Sequence, residues 1–373
     1  MRGTRPANRR QLILEAAARL FAERGYEHVS VVDIAESVAV GPSALYRHFK
    51  GKEQILAEVI GMVAEEFTAF CRAGAGVHGV VQSAAEFVLA NREVGVLWQR
   101  EVRRLPPTVH REVVRQIRAA RCAFVAAVCS VGADRTAPAA ALSAVLSPSF
   151  HHAEMPRPMY ADHLAGIAER VLKIDLPSAV QRAEPRPGLR RSSTREGLVC
   201  TAVELFAERT YSSVGIEDIA AASGMAPSSL YNHFASKSEL LVTALTRADG
   251  FLQVTLDRIL ARSADARSAL FELVEAYVSF AVENPALIDA LVTEVRNLPE
   301  GPAAVMRQSQ RSYVGEWSQL VRDVHTEIDA QAARVSVHAG LMMINDLVRT
   351  PDIRDRSDVR DVLARLTRAV LDI

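Results

Sequence analysis

Apolar residues recur every three or four positions through most of this chain, the spacing that lines one face of an α-helix. EAAARLFAER (15–24) shows it, as do AAEFVLANREVGVLWQREVRRL, REVVRQIRAARCAFVAAV and ADHLAGIAERVLKI further on. SALFELVEAYVSFAV, ARVSVHAGLMMINDLV and DVRDVLARLTRAVLDI repeat it in the second half. No stretch alternates with period two beside hairpin turn residues, so no sheet is predicted. The expected fold class is all-α. One stretch breaks the pattern: DLPSAVQRAEPRPGLRRSST (175–194) holds three prolines and four arginines with little apolar content, and reads as a linker.

The two sides of that linker are copies. Shifted by 185 positions, RLFAERGYEHVSVVDIA (19–35) lies over ELFAERTYSSVGIEDIA (204–220), and GPSALYRHFKGK (41–52) over APSSLYNHFASK (226–237). Between 17–56 and 202–241, 19 of 40 positions are identical. A period this long means duplicated domains, because solenoid repeats run to roughly 20–50 residues. The boundaries predicted are 1–56 and 193–241 for two small N-terminal domains, 57–176 and 242–373 for the helical domains behind them, and 177–192 for the linker.

Each small domain reads as three helices. In the first copy, helix one spans 9–24 with Leu12, Ala16, Leu20 and Phe21 as its buried stripe, and Gly25 ends it. Ser30 caps helix two, with Asp33 completing an approximate capping box. A turn follows at AVG, and Pro42 suits the first position of a third helix, PSALYRHF. Leu45 and Phe49, four apart, pack inward, while Ser43, Ala44, Arg47 and His48 lie away from that face and Tyr46 near its edge. Two short helices joined by a tight turn, behind a longer supporting helix, describe a helix-turn-helix reader of DNA.

The pattern G-Y-x-x-V-S-V-x-x-I-A (25–35) followed by P-S-x-L-Y-x-H-F-x-x-K (42–52), matched in the second copy by V-x-I-x-D-I-A-x-x-S-G (214–224) and the same P-S-x-L-Y-x-H-F-x-x-K (227–237), resembles the TetR family of bacterial transcriptional regulators. The resemblance implies two tandem units, each a three-helix reader plus a helical ligand-binding and dimerisation domain. It implies phosphate contacts by Tyr46, His48 and Lys52, and by Tyr231, His233 and Lys237. It places base reading at Gly41, Pro42, Ser43, Ala44 and Arg47, and at Ala226, Pro227, Ser228, Ser229 and Asn232. Phenol, imidazole and ammonium groups all donate to phosphate oxygens, and each lysine sits near the start of a helix. The Ser30 hydroxyl could also meet a phosphate. Departures concentrate in the second copy, with Gly215 at the capping position and Thr210 for Gly25, whereas the first copy has Ala39 where the family favours Gly. If that position is left-handed, Ala39 costs about 1 kcal/mol.

Charge refines this picture. The whole chain is neutral, with 44 basic and 44 acidic residues, so nucleic-acid binding must rest on local patches. Residues 1–56 carry nine basic and six acidic side chains, 186–241 six of each, so the first reader is expected to supply more electrostatic affinity. Arg2, Arg5, Arg9 and Arg10 read equally as a phosphate-tracking arm or a solubilising tail, and Arg190 and Arg191 precede the second reader in the same way. The four cysteines form no CxxC pair, no apolar run is long enough for a bilayer and no secretion signal is visible, so a reducing, cytoplasmic setting is expected.

Other motifs carry less. GAGVHG (74–79) follows a helix rather than a strand and reads as a loop, not a dinucleotide site. His151, His152 and Glu154 lack metal-ligand spacing and read as a helix-end loop. No catalytic motif has a convincing context, so no enzyme, metal or cofactor is expected. GVLWQREVRRLP (95–106), with a weaker counterpart LVTEVRNLPEG (291–301), reads as core or as the wall of an effector pocket. The candidate lining is Phe87, Leu97, Trp98 and Phe124 in the first copy and Phe280, Leu291 and Met342 in the second. LWQRE also resembles a segment of mycobacterial tandem TetR repressors, one of which controls a mammalian-cell-entry operon for lipid uptake, which implies a lipid-linked effector.

The expected molecule is a monomer acting as an intramolecular pseudo-dimer. Helices near 137–150 and 160–173 would pack with those near 330–349 and 357–372 as a four-helix bundle. Double-stranded operator DNA and a small effector are the expected partners, with no membrane. Repression released by effector is the expected role. Three alternatives stand: an activator, a helical small-molecule-binding protein or enzyme whose DNA elements are vestigial, and a homodimer with four readers.

Overall fold

The computed structural model describes residues 9–129, 134–177 and 192–373. Among them all regular structure is helical. The first half runs α1 (Arg9–Arg24), α2 (Val31–Ser37), α3 (Pro42–Leu45), α4 (Lys52–Ala73), α5 (Gly76–Ala90), α6 (Val94–Gln99), α7 (Pro107–Val128), α8 (Thr136–Val145) and α9 (Arg157–Leu172). The second runs α10 (Thr194–Arg209), α11 (Ile216–Ala222), α12 (Pro227–Tyr231), α13 (Lys237–Arg262), α14 (Ala266–Glu283), α15 (Pro285–Thr293), α16 (Glu300–Val324), α17 (Ala330–Leu347), α18 (Pro351–Arg354) and α19 (Val359–Leu371). Among the described residues no helix is long and apolar enough to cross a membrane.

The described residues divide into two compact units, and the division does not follow the repeat. The first runs through Pro138 and takes in Val145–His152 and Pro156–Ala165. The second comprises Ala139–Ala144, Ala153–Met155 and Gly166–Ile373. Pieces of α8 and α9 therefore belong to the second unit, and specific bonds hold them there. Ser143, fully buried, donates to the buried Asp346 of α17. Arg170 donates to the carbonyls of Ala369 and Val370 at 3.0 and 3.1 Å. Arg365 donates to the Asp175 carbonyl at 2.8 Å, and the buried Arg356 to that of Pro177 at 2.9 Å. The Arg356 charge is matched by Asp358 at 2.9 Å, which a buried guanidinium requires.

Three local expectations change. The buried face of α1 is Ile13, Leu14, Ala16, Ala17, Ala18 and Phe21, so Ala16 and Phe21 stand as expected, while Leu12 is exposed and Leu20 half-buried. The face is rotated because both Ile13 and Ala17 meet the core at helical spacing, which turns Leu12 outward. The third helix closes earlier than PSALYRHF implies: α3 is four residues long, and His48 N–H reaches back only three residues to the Leu45 carbonyl at 2.8 Å. Such tightening is common where a helix ends. GAGVHG is a helix junction rather than a full loop. Only Gly74 and Ala75 separate α4 from α5, and a Cβ on Gly74 would stand 2.5 Å from the Val80 nitrogen.

Candidate nucleic-acid interface

The first reader is assembled from the capping residues outward. Ser30 Oγ accepts from Asp33 N–H at 3.1 Å, and the Asp33 carboxylate accepts from Ser30 N–H at 2.6 Å, closing the capping box. The Ser30 bonds hold the Asp33 carboxyl below its usual range. At the other end of α2, Val40 N–H bonds to the Ala35 carbonyl at 2.9 Å and Ala39 N–H to that of Glu36 at 3.0 Å. This is a Schellman closure, whose penultimate residue must be left-handed. Ala39 occupies it with φ 52°. The turn delivers Gly41 and Pro42 as the start of α3, with Leu45 and Phe49 buried beneath. Gly41, Pro42, Ser43, Tyr46, Arg47 and His48 are exposed, Ala44 less so, and Ser30 is exposed nearby.

The second reader repeats this construction. Met225 N–H bonds to Ala220 and Gly224 N–H to Ala221, both at 3.0 Å, with Gly224 at φ 70°. Leu230 and Phe234 are buried beneath α12, inside a core completed by Ala290 of α15, Ala303 and Met306 of α16, and Leu298 between those helices. Ala226, Pro227, Ser228, Tyr231 and Asn232 are exposed, while Ser229 and His233 are half-buried. Gly215 begins α11 and has no hydroxyl; only the return bond survives, from Gly215 N–H to Asp218 at 2.8 Å. Thr210 takes φ 79°, ψ 149°, a region that only glycine visits freely. Gly25 holds the same place in the first reader at φ 82°, ψ 147°.

Two cations predicted at the surface are held by the scaffold. Lys52 donates to the Tyr26 carbonyl at 2.7 Å and lies 4.1 Å from that ring's centre. Lys237 donates to the carbonyls of Tyr211 and Val214 at 2.8 and 2.9 Å, 4.3 Å from the Tyr211 ring. Burial lowers the Lys52 ammonium and pushes the Tyr26 phenol up to about 12. Each lysine thus ties the first turn of the long helix to the loop before helix two. Arg10 is fixed likewise, within α1, paired with Glu58 and 5.1 Å from the Phe49 ring centre. Its repeat partner Arg195 pairs with Glu239 and lies 3.9 Å from the Phe234 ring centre. Arg10 is therefore part of the folded reader rather than of a tail. Arg2, Arg5, Arg190 and Arg191 fall outside the described residues.

Sequence reasoning missed the buried acid behind each reader. Glu101 is 4% exposed, and its carboxylate accepts from Tyr26 N–H at 2.8 Å. Arg104 pairs with Glu27 at 3.0 Å. The 101–104 turn is thereby bonded to the 26–28 turn that leads into the reader. Glu294, at the matching place in LVTEVRNLPEG, is 1% exposed and accepts from Thr293 and Asn297. A carboxylate inside two aligned E-V-R-x-L-P segments was the available signal.

The predicted effector lining separates into groups. Phe87, Trp98 and Phe124 all meet Phe67, with ring centres 5.5, 5.4 and 6.4 Å from it, and Leu97 is buried with them in the first unit's core. The Trp98 indole N–H has no acceptor among the described residues. In the second copy Phe280 stacks on Phe251, and Met342 is buried in α17. Leu291 packs against the core of the second reader instead of joining these residues. It shares α15 with Ala290, whose burial in that core carries the helix toward α10. His151 and His152 lie in an irregular segment after the turn at 147–150.

Comparison with known proteins agrees with the two readers. Residues 13–59 and 198–244 each match the family model described as "Bacterial regulatory proteins, tetR family". The repressor KstR2 of Mycolicibacterium smegmatis is 46% identical over 57 residues, 15% of this chain and 28% of that protein. The activator FasR of the same organism is 33% identical over 111 residues, 28% of this chain and 51% of that protein. The chain thus spans about half, or less, of the length of these relatives. A TetR-family regulator from Bordetella parapertussis aligns in structure with 49% of this chain and 96% of its own, at 24% identity and TM-score 0.46.

Proposed function

From a chain in which residues 13–59 and 198–244 each match the tetR-family model, we propose a transcriptional regulator that applies both readers to one asymmetric operator. The observation that supports it most is the pair of matched faces: Tyr46, Arg47 and His48 on one, Tyr231, Asn232 and His233 on the other, each set above a buried Leu–Phe anchor. The tyrosines and histidines donate to phosphates, which any sequence offers. Arg47 and Asn232 differ where bases are read, and Arg favours guanine as Asn favours adenine. Ser30, Lys52 and Lys237 complete the proposed contacts.

The domain boundaries proposed are those of the repeat, 1–56, 57–176, 177–192, 193–241 and 242–373. The bonds from α8 and α9 segments to α17 and α19 support a monomeric pseudo-dimer. A small effector, lipid-linked by the resemblance of LWQRE to regulators of lipid uptake, would favour a reader spacing that DNA does not accept and so release a repressed gene. The protein works in the cytoplasm and is not an enzyme.

The test is a titration of the full chain with duplexes from the DNA upstream of its gene, at several salt concentrations. Tight, sequence-selective, salt-sensitive binding is expected. Weak binding equal for all duplexes would sink the proposal.

A further inference from the structure

A groove of about 520 Å³ opens along the seam of α13 and α14, with Arg368 of α19 in its wall. The repeat supplies an internal comparison, because the matching seam of the first copy is built differently. There Phe70 stands at Thr255's place in the repeat register and lies against Phe87, ring centres 5.1 Å apart. α4 also ends at Ala73, the position matching Arg258, so the last turn of α13, through Arg262, has no helical counterpart. In the second copy Phe251, one turn earlier, covers Phe280 with ring centres 5.4 Å apart, and the seam beyond Thr255 stays open.

The groove has unused binding capacity. Its two carboxylates are matched: Glu272 by Arg262, with bonds of 3.1 Å and shorter, and Glu275 by Arg368. Arg258 makes no ion pair or hydrogen bond among the described residues. Arg368 Nε, buried, has no acceptor there. Three arginines against two glutamates leave one net positive charge. The apolar wall is Ile259, Phe271 and Ala276, and the exposed Phe251 stands one turn before Thr255 on the same helix. From Phe251 to Arg258 the helix rises about 10 Å. An apolar wall ending at an unneutralised guanidinium is complementary to an elongated apolar molecule bearing one anionic end.

We propose that this groove binds a long-chain carboxylate, its head group at Arg258 and its chain along the α13–α14 seam toward Phe251. The site meets the predicted effector lining only where Phe251 stacks on Phe280, and it does not depend on the DNA-binding proposal.

The experiment is calorimetric titration of the full chain with dodecanoate below its micellar concentration, with dodecanol and butyrate as controls. Saturable one-site binding of dodecanoate is expected. Dodecanol lacks the charge and butyrate the chain, so each should bind roughly tenfold more weakly or worse. Thr255→Phe, which installs the first copy's residue, and Arg258→Ala should each weaken dodecanoate by about tenfold with thermal melting unchanged. Arg258 is exposed, so its variant reports on the site even if Thr255→Phe disturbs packing. Absent saturable binding, or wild-type affinity in Arg258→Ala, would overturn the proposal. No DNA enters the measurement, so its failure leaves the regulator standing, and the reverse.

Discussion

In the first reader the residue that closes helix two in the left-handed conformation is Ala39; in the second it is Gly224. At the end of helix one the roles exchange, with Gly25 in the first reader and Thr210 in the second. Each copy has lost one of the two glycines that this path favours, and not the same one. The path survives because it is over-determined elsewhere. Leu45 and Phe49, or Leu230 and Phe234, anchor the third helix, and a lysine bonds the loop from the far side. Thr210 has local help as well, since Ser213 donates to the carbonyls of Arg209 and Thr210. A backbone conformation costing about 1–3 kcal/mol persists where surrounding packing enforces it.

The comparison is broken most forcefully at the side chains proposed to face DNA. Tyr46→Ala with His48→Ala, and separately Tyr231→Ala with His233→Ala, should each weaken operator binding about a hundredfold, as expected for two charge-assisted phosphate contacts worth about 1.5 kcal/mol apiece. Fluorescence anisotropy on one operator duplex measures both. If the second pair changes nothing, the second reader is vestigial.

Acid should separate the copies next. α8 carries no titratable side chain, whereas α17 holds His338, which burial, with Arg334 adding to it, lowers to about 4. Folded His338 resists a proton that the unfolded chain accepts near the usual value of about 6.5. Stability is therefore full above about pH 6.5 and falls as pH drops toward 4, by about 2 kcal/mol once solvent screening is allowed for. A His338→Gln chain melted across this range should lack that part of the slope; an unchanged slope would place the titration elsewhere.

Backbone strain gives the smaller effects. Thr210→Gly should raise stability by about 1 kcal/mol, strain relief outweighing the entropy of the added glycine. Ala39→Gly should add about 0.5 kcal/mol, since an alanine tolerates its milder left-handed position better than a β-branched residue tolerates φ 79°. Denaturant midpoints rank the two, and the reverse order would mean that the hydroxyl bonds at Thr210 absorb its strain. Gly215→Ser, restoring the missing cap, should contribute a few tenths of a kcal/mol. The new Cβ would meet the end of the flexible Glu217 side chain at 2.9 Å and the Asp218 carboxylate at 3.4 Å.

Much of each reader was legible in residue order. Ser30 with Asp33, the turn before Pro42 and the Leu45–Phe49 pair are local devices, complete within one or two helical turns, and each stands where its spacing implies. Leu12 failed because helical spacing gives the width of an apolar stripe but not which edge faces the neighbour. For Lys52 the family resemblance implies a phosphate contact, beside a helix start. That its ammonium reaches back 26 residues to the Tyr26 carbonyl follows from tertiary proximity alone.

What the sequence by itself determined is the helical class, the duplication and the two faces above their apolar anchors. All rest on periodicity and on a repeat that preserves Pro, Tyr, His, Phe and Lys in one register. What only the tertiary structure decided is where distant residues meet. Glu101 beneath Tyr26, Ser143 against Asp346 and Arg368 beside Phe271 are separated by 75, 203 and 97 positions. No local spacing encodes such pairs, because they form only where buried apolar faces bring helices together and leave each buried charge or hydroxyl to find a partner.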